Sequence, residues 1–291
     1  MHLCYSQGMK REQEWTATGR DAGVSLQDYL AQCMAVSKRV AKQHIDARVV
    51  WVNGRCVWMA RHELRKGDVI RCAAKVASPT ATSKIPRTLP TLFEDADFIV
   101  VDKPAGMLAD GANGSAEEVL RRQTGNPDVC AVHRLDRDTT GCLLMAKSQR
   151  AKAKAVDVFR EHRIAKSYRA IVYARWDAKA TTLDLPIEGE RALTQVTCVR
   201  ANAVASQLLV RIETGRTHQI RKHLAMARHP VMGDRQYGPK QVEAEFQAVA
   251  RPMLHAVELV MDHPTREGKL KVFAPIPQDM HRWLNVLKLQ S

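Results

Sequence analysis

The sequence predicts an α+β protein built from two unequal parts. Three observations carry that expectation. Short β-branched runs and amphipathic helical runs alternate without a regular βαβ rhythm. A proline-bearing stretch of small polar residues, 76–88, separates a short front part from a longer one. Hydrophobic residues make up 45% of the 291, enough to build packed cores and too many for a disordered chain.

In chain order, residues 1–22 read as a polar tail without the apolar centre of a signal peptide. Leu26, Leu30 and Met34 recur every four residues and predict a helix over 25–34. Ser37 can cap a second helix, 38–45, whose Lys38, Arg39 and Lys42 fall near one face. Strand-like 49–52, the Asn53-Gly54 turn and the return 56–58 make a hairpin, and 68–71 closes as a strand. Between Lys38 and Arg71 there are nine Lys and Arg against three acids, a net charge of +6 on this small αα-β unit. Phosphates attract such a surface without any reading of sequence.

The longer part, 89–291, opens with the β-branched strand 98–101, which Pro104 and Gly106 end in a sharp turn. A helix is expected over 116–122, a strand over 142–146, a helix over 147–162 and an alternating strand running on from Ile164 through 168–173. Further strands are expected at 194–199 and 205–212. Thr217 is the expected cap of a helix over 218–227. Strands near 253–260 and 269–274 and a helix over 277–289 complete the chain.

A net charge of +14 favours a polyanionic partner, nucleic acid before membrane, since no basic cluster adjoins an apolar helix. No apolar run approaches the roughly 20 residues of a membrane span. The seven cysteines are dispersed, odd in number and without a Cys-x-x-Cys pair, which argues against a disulfide framework or zinc site and for a reducing, cytoplasmic setting. No metal is expected, because His218 and His223 are five apart, a poor spacing for one helix face. No glycine-rich nucleotide loop is present, and no cofactor is implied.

One stretch stands out. His133-Arg134-Leu135-Asp136-Arg137-Asp138-Thr139-Thr140-Gly141 is a charged, turn-rich loop running into the apolar strand 142–146. Arg134 and Arg137 flank Asp136, and nearby positive charge favours the ionised form of a carboxylate. A positioned carboxylate can be a nucleophile or a general base. Taken alone, such a run is a surface ion-pair cluster.

Set in order with Asp102-Lys103-Pro104-Ala105-Gly106, Lys166-Ser167-Tyr168, Thr214-Gly215-Arg216-Thr217-His218-Gln219-Ile220-Arg221, Gly233-Asp234 and Tyr237-Gly238, this loop resembles the RluA-type pseudouridine synthases from about Leu92 to Ile276. Thr140 departs from the family, which more often carries Ser there, but it keeps the hydroxyl. The front part, 23–75, resembles the S4 RNA-binding domain, a common companion in that family.

The resemblance implies a mixed, largely antiparallel sheet split by a long cleft, and isomerisation of uridine in RNA to pseudouridine without metal or redox cofactor. Asp136 corresponds to the catalytic aspartate. It can attack the sugar, add to the ring or remove a proton, and the sequence leaves all three open. Arg221 corresponds to the arginine paired with it, expected as a buried bidentate pair. Tyr168 corresponds to the tyrosine stacking on the target base, and Ile220 to an apolar lining of the base pocket. Arg134 corresponds to the residue that enters the RNA stack vacated by the flipped nucleotide. Lys103 and Lys166 are read as cleft supports or phosphate contacts. Lys38, Arg39 and Lys42 are the expected RNA contacts of the S4-like unit. The implied partner is RNA, ribosomal large-subunit RNA first and transfer RNA second, with a monomeric enzyme. Two other readings are weighed: a non-catalytic RNA-binding or ribosome-assembly protein, and a hydrolase using Asp136 and Asp138 as paired carboxylates.

Overall fold

The computed structural model describes residues 12–46, 50–57, 59–73, 86–111, 114–161, 163–239, 241–242, 246 and 248–290. The chain divides into two compact units, Met1–Lys84 and Ile85–Ser291. Arg48, Trp58, Asn113 and His162, and most of the expected linker, lie outside the described residues.

The first unit carries an antiparallel sheet in the order β1, β4, β2, β3: β1 Glu12–Thr16, β2 Val50–Val52, β3 Arg55–Cys56 and β4 Val69–Ala73. Helices α1 Leu26–Cys33 and α2 Lys38–Asp46 join this sheet in one core, where Leu26, Leu30, Ala41, Ile45, Val50 and Ile70 are buried. Ser25 caps α1 by accepting from the Asp28 N–H at 3.2 Å. Ser37 accepts from the Val40 N–H at 3.3 Å. Asn53 and Gly54, both at positive φ, turn the β2–β3 hairpin.

Strand β1 corrects the expected polar tail, of which residues 1–11 lie outside the described residues. An edge strand with one face on the core needs few apolar residues. Trp15 packs against the core, Ala17 just beyond the strand is buried, and the exposed Glu14 pairs with Arg71.

The second unit is a ten-stranded sheet. Its main path runs β10 Ala180–Asp184, β11 Leu193–Ala201, β12 Ala205–Ile212, β9 Ile164–Tyr173, β13 Leu254–Asp262, β8 Thr140–Ala146, β6 Phe98–Lys103 and β5 Thr91–Glu94. Strand β14 Lys269–Phe273 pairs with β13, and β7 Cys130–Ala131 with β8. Every pairing is antiparallel except β13 with β8, so the sheet is mixed and largely antiparallel. Strand β13 pairs with β8 through His255 and Ala256, then with β14 from Glu258 onward, and the sheet forks there. Four α-helices among the described residues belong to this unit: α3 Ala116–Thr124, α4 Gln149–Arg160, α5 Gln219–Met226 and α6 Gln278–Val286.

The central strands are buried on both faces, and their alternation sorts them into two cores. Ile99, Val101, Leu143 and Met145 join one with Val119, Leu120, Ile220 and Leu224. Phe98, Val100, Cys142 and Leu144 join the other with Ala151, Ala155 and Val158. The short or exposed strands β5, β7 and β10 were not legible in the sequence; β10, for instance, is an exposed edge strand with little apolar content.

The single parallel contact requires glycine. Gly141 sits at φ +107, where a Cβ would overlap the Ala256 carbonyl backbone. Gly141→Ala is expected to lower the melting midpoint by roughly 6 °C or more, through a strained φ and a backbone clash. A melting curve within 1–2 °C of wild type (about 0.5 kcal/mol) would contradict this account of the β8–β13 junction.

Candidate active site

The loop between β7 and β8 reaches into a cleft of about 850 Å³ in the second unit. Asp136, Arg134, Tyr168, Ile220 and Arg221 all line it, so five residues singled out in the sequence converge. His218, Lys166 and Leu254 line it too. The exposed Lys38, Arg39 and Lys42 lie on α2 of the first unit, with Lys38 paired to Asp28 at 2.8 Å.

Buried cations hold the Asp136 loop by its backbone. The Lys103 ammonium donates to the carbonyls of Pro104, Met107 and Arg137 at 2.8–2.9 Å, using all three N–H bonds. Burial lowers its pKa to about 7, against the pull of Asp138 and Asp136. Arg251 donates to the Asp138 carbonyl at 3.3 Å and to the carbonyls of Pro252 and Leu254, while its fork grips Asp279 at 2.6 and 2.8 Å. Thr139 closes the turn with an N–H to the Asp136 carbonyl, 3.1 Å. Below the loop, the buried Thr140 hydroxyl meets His255 Nδ1 at 2.8 Å, so this hydroxyl serves the scaffold. Burial lowers the pKa of His255 to about 4, which keeps it neutral at pH 7.

His133 also serves the scaffold. Its Nε2 accepts from the Leu144 N–H at 3.1 Å, and its ring stacks on Phe159 with centroids 5.5 Å apart. Burial brings its pKa to about 3, so the ring is neutral and the acceptor role is available.

Arg221 Nη1 donates to Asp136 Oδ2 at 3.1 Å. The guanidinium fork, however, belongs to Asp234: Nε to Oδ2 at 2.6 Å and Nη2 to Oδ1 at 2.9 Å. This corrects the expected bidentate Asp136–Arg221 pair. The Asp234 side chain is 0% exposed and that of Asp136 28%, so the fully desolvated carboxylate takes the geometry-demanding fork. Asp234 Oδ1 also accepts from the N–H groups of Gln236 and Tyr237 at 2.9 and 3.1 Å. Burial alone would push its pKa up; Arg221 and these donors together hold it below the usual carboxylate range. The same ion pairs raise the Arg221 pKa against the opposing effect of burial.

His218 adds a second contact. It begins α5 in the left-handed region, φ 56, without a side-chain cap. The expected Thr217 cap is absent, and the Gln219 side chain organises this turn instead. Gln219 accepts from the Thr214 hydroxyl at 2.7 Å and the Arg216 N–H at 3.1 Å, and donates to the Leu193 carbonyl and Thr194 hydroxyl. His218 Nδ1 meets the Tyr237 hydroxyl at 2.9 Å, and its Nε2 lies 3.8 Å from Asp136 Oδ1. Burial lowers the His218 pKa, partly opposed by the charge of Asp136. A neutral ring accepting from Tyr237 presents its Nε2–H to Asp136. One carboxylate oxygen thus faces Arg221 and the other His218.

Tyr168 is 6% exposed, and its hydroxyl pKa is raised by burial and by Asp136. Its ring, with Ile220 and Leu254, gives the cleft an apolar wall, while Arg134 is exposed at the cleft. Asp138 is not among the cleft residues and pairs with its neighbour Arg137 at 3.3 Å, so the Asp136–Asp138 pair of the hydrolase reading does not form across the cleft. Asp234, Gln219 and Tyr237 lie within the motifs quoted from the sequence but carried no role there. Arg251 had no signal in the sequence.

A family model described as RNA pseudouridylate synthase matches residues 97–226. The ribosomal large subunit pseudouridine synthase D of Haemophilus influenzae is 31% identical, covering 87% of this chain and 87% of that protein. The protein of the same name from Vibrio cholerae is 29% identical with 94% of each covered. Among solved structures, human RNA pseudouridylate synthase domain containing 1 shares the fold at TM-score 0.55 and 24% identity, covering 70% of this chain and 96% of that one. Human RNA pseudouridylate synthase domain containing 4 does so at TM-score 0.59 and 20% identity, covering 72% and 96%. With that identity over most of both chains, and a mixed sheet with the motif residues gathered in one cleft, the chain belongs to the RluA-type family of RNA pseudouridine synthases, enzymes that isomerise uridine in RNA to pseudouridine.

Proposed function

We propose that this enzyme converts uridine in large-subunit ribosomal RNA to pseudouridine, with Asp136 as its catalytic carboxylate. The observation that carries this reading is the Asp136 carboxylate held by Arg221 in the same cleft as the buried Tyr168 ring. The names of the curated relatives support the ribosomal target.

The reaction asks for a nucleotide out of its stack, a carboxylate beside C1′ and C6, and a trap for the freed base. Arg134, exposed at the cleft, fills the gap in the RNA stack. The uracil lies on Tyr168 against Ile220 and stays there after the C1′–N1 bond breaks. Such stacking is worth on the order of 1–3 kcal/mol. The base turns, C5 joins C1′, the C5 proton is lost to solvent and N1 takes up a proton, so the product is an isomer of the substrate. Arg221 holds Asp136 toward the sugar throughout. The enzyme works as a monomer in the cytoplasm; the free cysteines 33, 130, 142 and 198, among the described residues, support a reducing setting.

The test is tritium release from C5-labelled uridine in transcripts of large-subunit ribosomal RNA and of transfer RNA. Release from the ribosomal transcript is expected. Release from transfer RNA alone would move the target, and release from neither would sink the reading.

The first unit serves as an S4-like RNA grip through the exposed Lys38, Arg39 and Lys42 of α2. Replacing Lys38 and Arg39 with Gln is expected to weaken RNA binding and flatten its log–log salt dependence by about 0.7 for each single-strand phosphate no longer neutralised. An unchanged slope would mean that α2 faces something other than phosphate.

A further inference from the structure

Two buried lysines line or underlie the cleft, and they differ in one respect. Lys103 has an acceptor for each of its three N–H bonds. The Lys166 ammonium has, among the described residues, no hydrogen-bond acceptor and no carboxylate partner. Its neighbour is the Phe159 ring, 5.4 Å to the centroid. Lys166 is only 8% exposed, and it lines the cleft. Burial is the sole cause that lowers its pKa, to about 8. With no acceptor from the described residues, this ammonium is met only from the cleft side, by water in the free protein and by an anion when substrate is bound.

The surroundings indicate which anion. Lys166 and Tyr168 are two residues apart on one face of β9, roughly 6.7 Å along the strand. That separation places a charged group beside, rather than over, a base lying on Tyr168. Gly215 stands next to the ammonium, and even an added Cβ there would come within 3.5 Å of Nζ. The missing side chain leaves the charge open to the cleft. Arg134, Arg137 and Lys152 line the same cleft, as does Arg216, which pairs with Glu190 at 3.1 Å. With Lys166 and Arg221 these cations outnumber the cleft acids Asp110, Asp136 and Glu213, a distribution that follows a polyanionic backbone better than one neutral base. Uracil offers only carbonyl dipoles before its bond breaks, whereas a phosphodiester carries a permanent full charge.

We propose that Lys166 is a phosphate-binding residue: it pairs with a backbone phosphate of the substrate RNA adjoining the nucleotide whose base lies on Tyr168. This rests on the reading of the cleft as the uridine site.

The experiment uses the full chain, the RNA transcript from which the wild type releases tritium, and the variants Lys166→Met and Lys166→Arg. Lys166→Met is expected to weaken binding about tenfold, the scale of one charge-assisted hydrogen bond. The log–log salt slope should fall by about 0.7, and Lys166→Arg should restore both. The single-turnover rate at saturating enzyme falls less than affinity does. In the free protein Lys166→Met should leave the melting midpoint unchanged or slightly raised, because no hydrogen bond or ion pair among the described residues is lost with the ammonium. An unchanged salt slope overturns the proposal. So does a rate loss with affinity intact, which would put the cation on the uracil, or a lowered melting midpoint, which would make Lys166 a structural support. Failure of the wild type to release tritium from any RNA would remove the uridine-site reading instead, and the salt slopes measured on the ribosomal transcript would still decide whether Lys166 meets phosphate.

Discussion

Asp136→Asn is expected to abolish tritium release from uridine-labelled RNA while RNA affinity stays within a few fold of wild type. The amide keeps the size and one acceptor oxygen of the carboxylate but loses its charge and nucleophilicity. The loop itself does not depend on the Asp136 side chain. Lys103 holds the Arg137 carbonyl, Arg251 the Asp138 carbonyl, and the Thr139 N–H the Asp136 carbonyl. The variant should therefore fold with its cleft in place and lose rate by roughly 10³-fold or more, the scale of removing a positioned acid–base or nucleophilic group. Single-turnover kinetics beside a binding isotherm separates the two effects. A residual rate near wild type would end the assignment of Asp136. A parallel collapse of affinity would mean that the carboxylate shapes the RNA site instead.

Asp234→Asn is expected to be nearly as damaging to rate, and for a different reason. Asp234 touches no part of the reacting nucleotide in this account; it is a positioning residue acting through Arg221. It takes two guanidinium nitrogens and two backbone N–H groups, and leaves Nη1 for Asp136. Asn cannot present two equivalent oxygens to that fork, so Arg221 is left buried with one acceptor short. Breaking a buried pair in this way costs about 3 kcal/mol or more, which in a domain of this size is roughly 6–12 °C in melting midpoint. A displacement of Arg221 by 1 Å costs on the order of 100-fold in rate. The acid side of the stability profile carries a separate signature. Because the folded Asp234 has a pKa below its unfolded value of about 3.9, its ionised form stabilises the fold fully above about pH 5. That contribution disappears as pH falls through the unfolded value toward the folded one. Asp234→Asn should therefore show a shallower loss of stability between about pH 5 and 3. An unchanged acid limb with normal kinetics would remove Asp234 from the machinery.

Much of the site was legible in the sequence because it lies in short, ordered motifs. Asp136, Tyr168, Ile220 and Arg221 sit within three such segments, and the cleft brings them together. The central strands were legible because Phe98–Lys103 and Thr140–Ala146 alternate between two cores with unbroken apolar character. What failed depended on contacts distant in sequence. The N-terminus of α5 looked like a Thr217 cap, yet Gln219 fixes it by reaching Leu193 and Thr194, 26 and 25 residues earlier. The bidentate partner of Arg221 looked like Asp136. Burial decides for Asp234, and burial at the far end of a loop cannot be read from local pattern. Lys103 and Lys166 looked alike in sequence, and only the acceptors around each ammonium distinguish a scaffold residue from an open charge. Strand β1 was missed because an edge strand needs only one inward-facing parity of apolar residues.

The central claim is that Asp136 carries out uridine isomerisation in large-subunit ribosomal RNA. Pseudouridine mapping of that RNA tests it most directly, in cells lacking this gene and complemented with wild type or with Asp136→Asn. The account predicts at least one position that is pseudouridine with the wild type and uridine with both the empty strain and the variant. Identical maps in all three strains would contradict it.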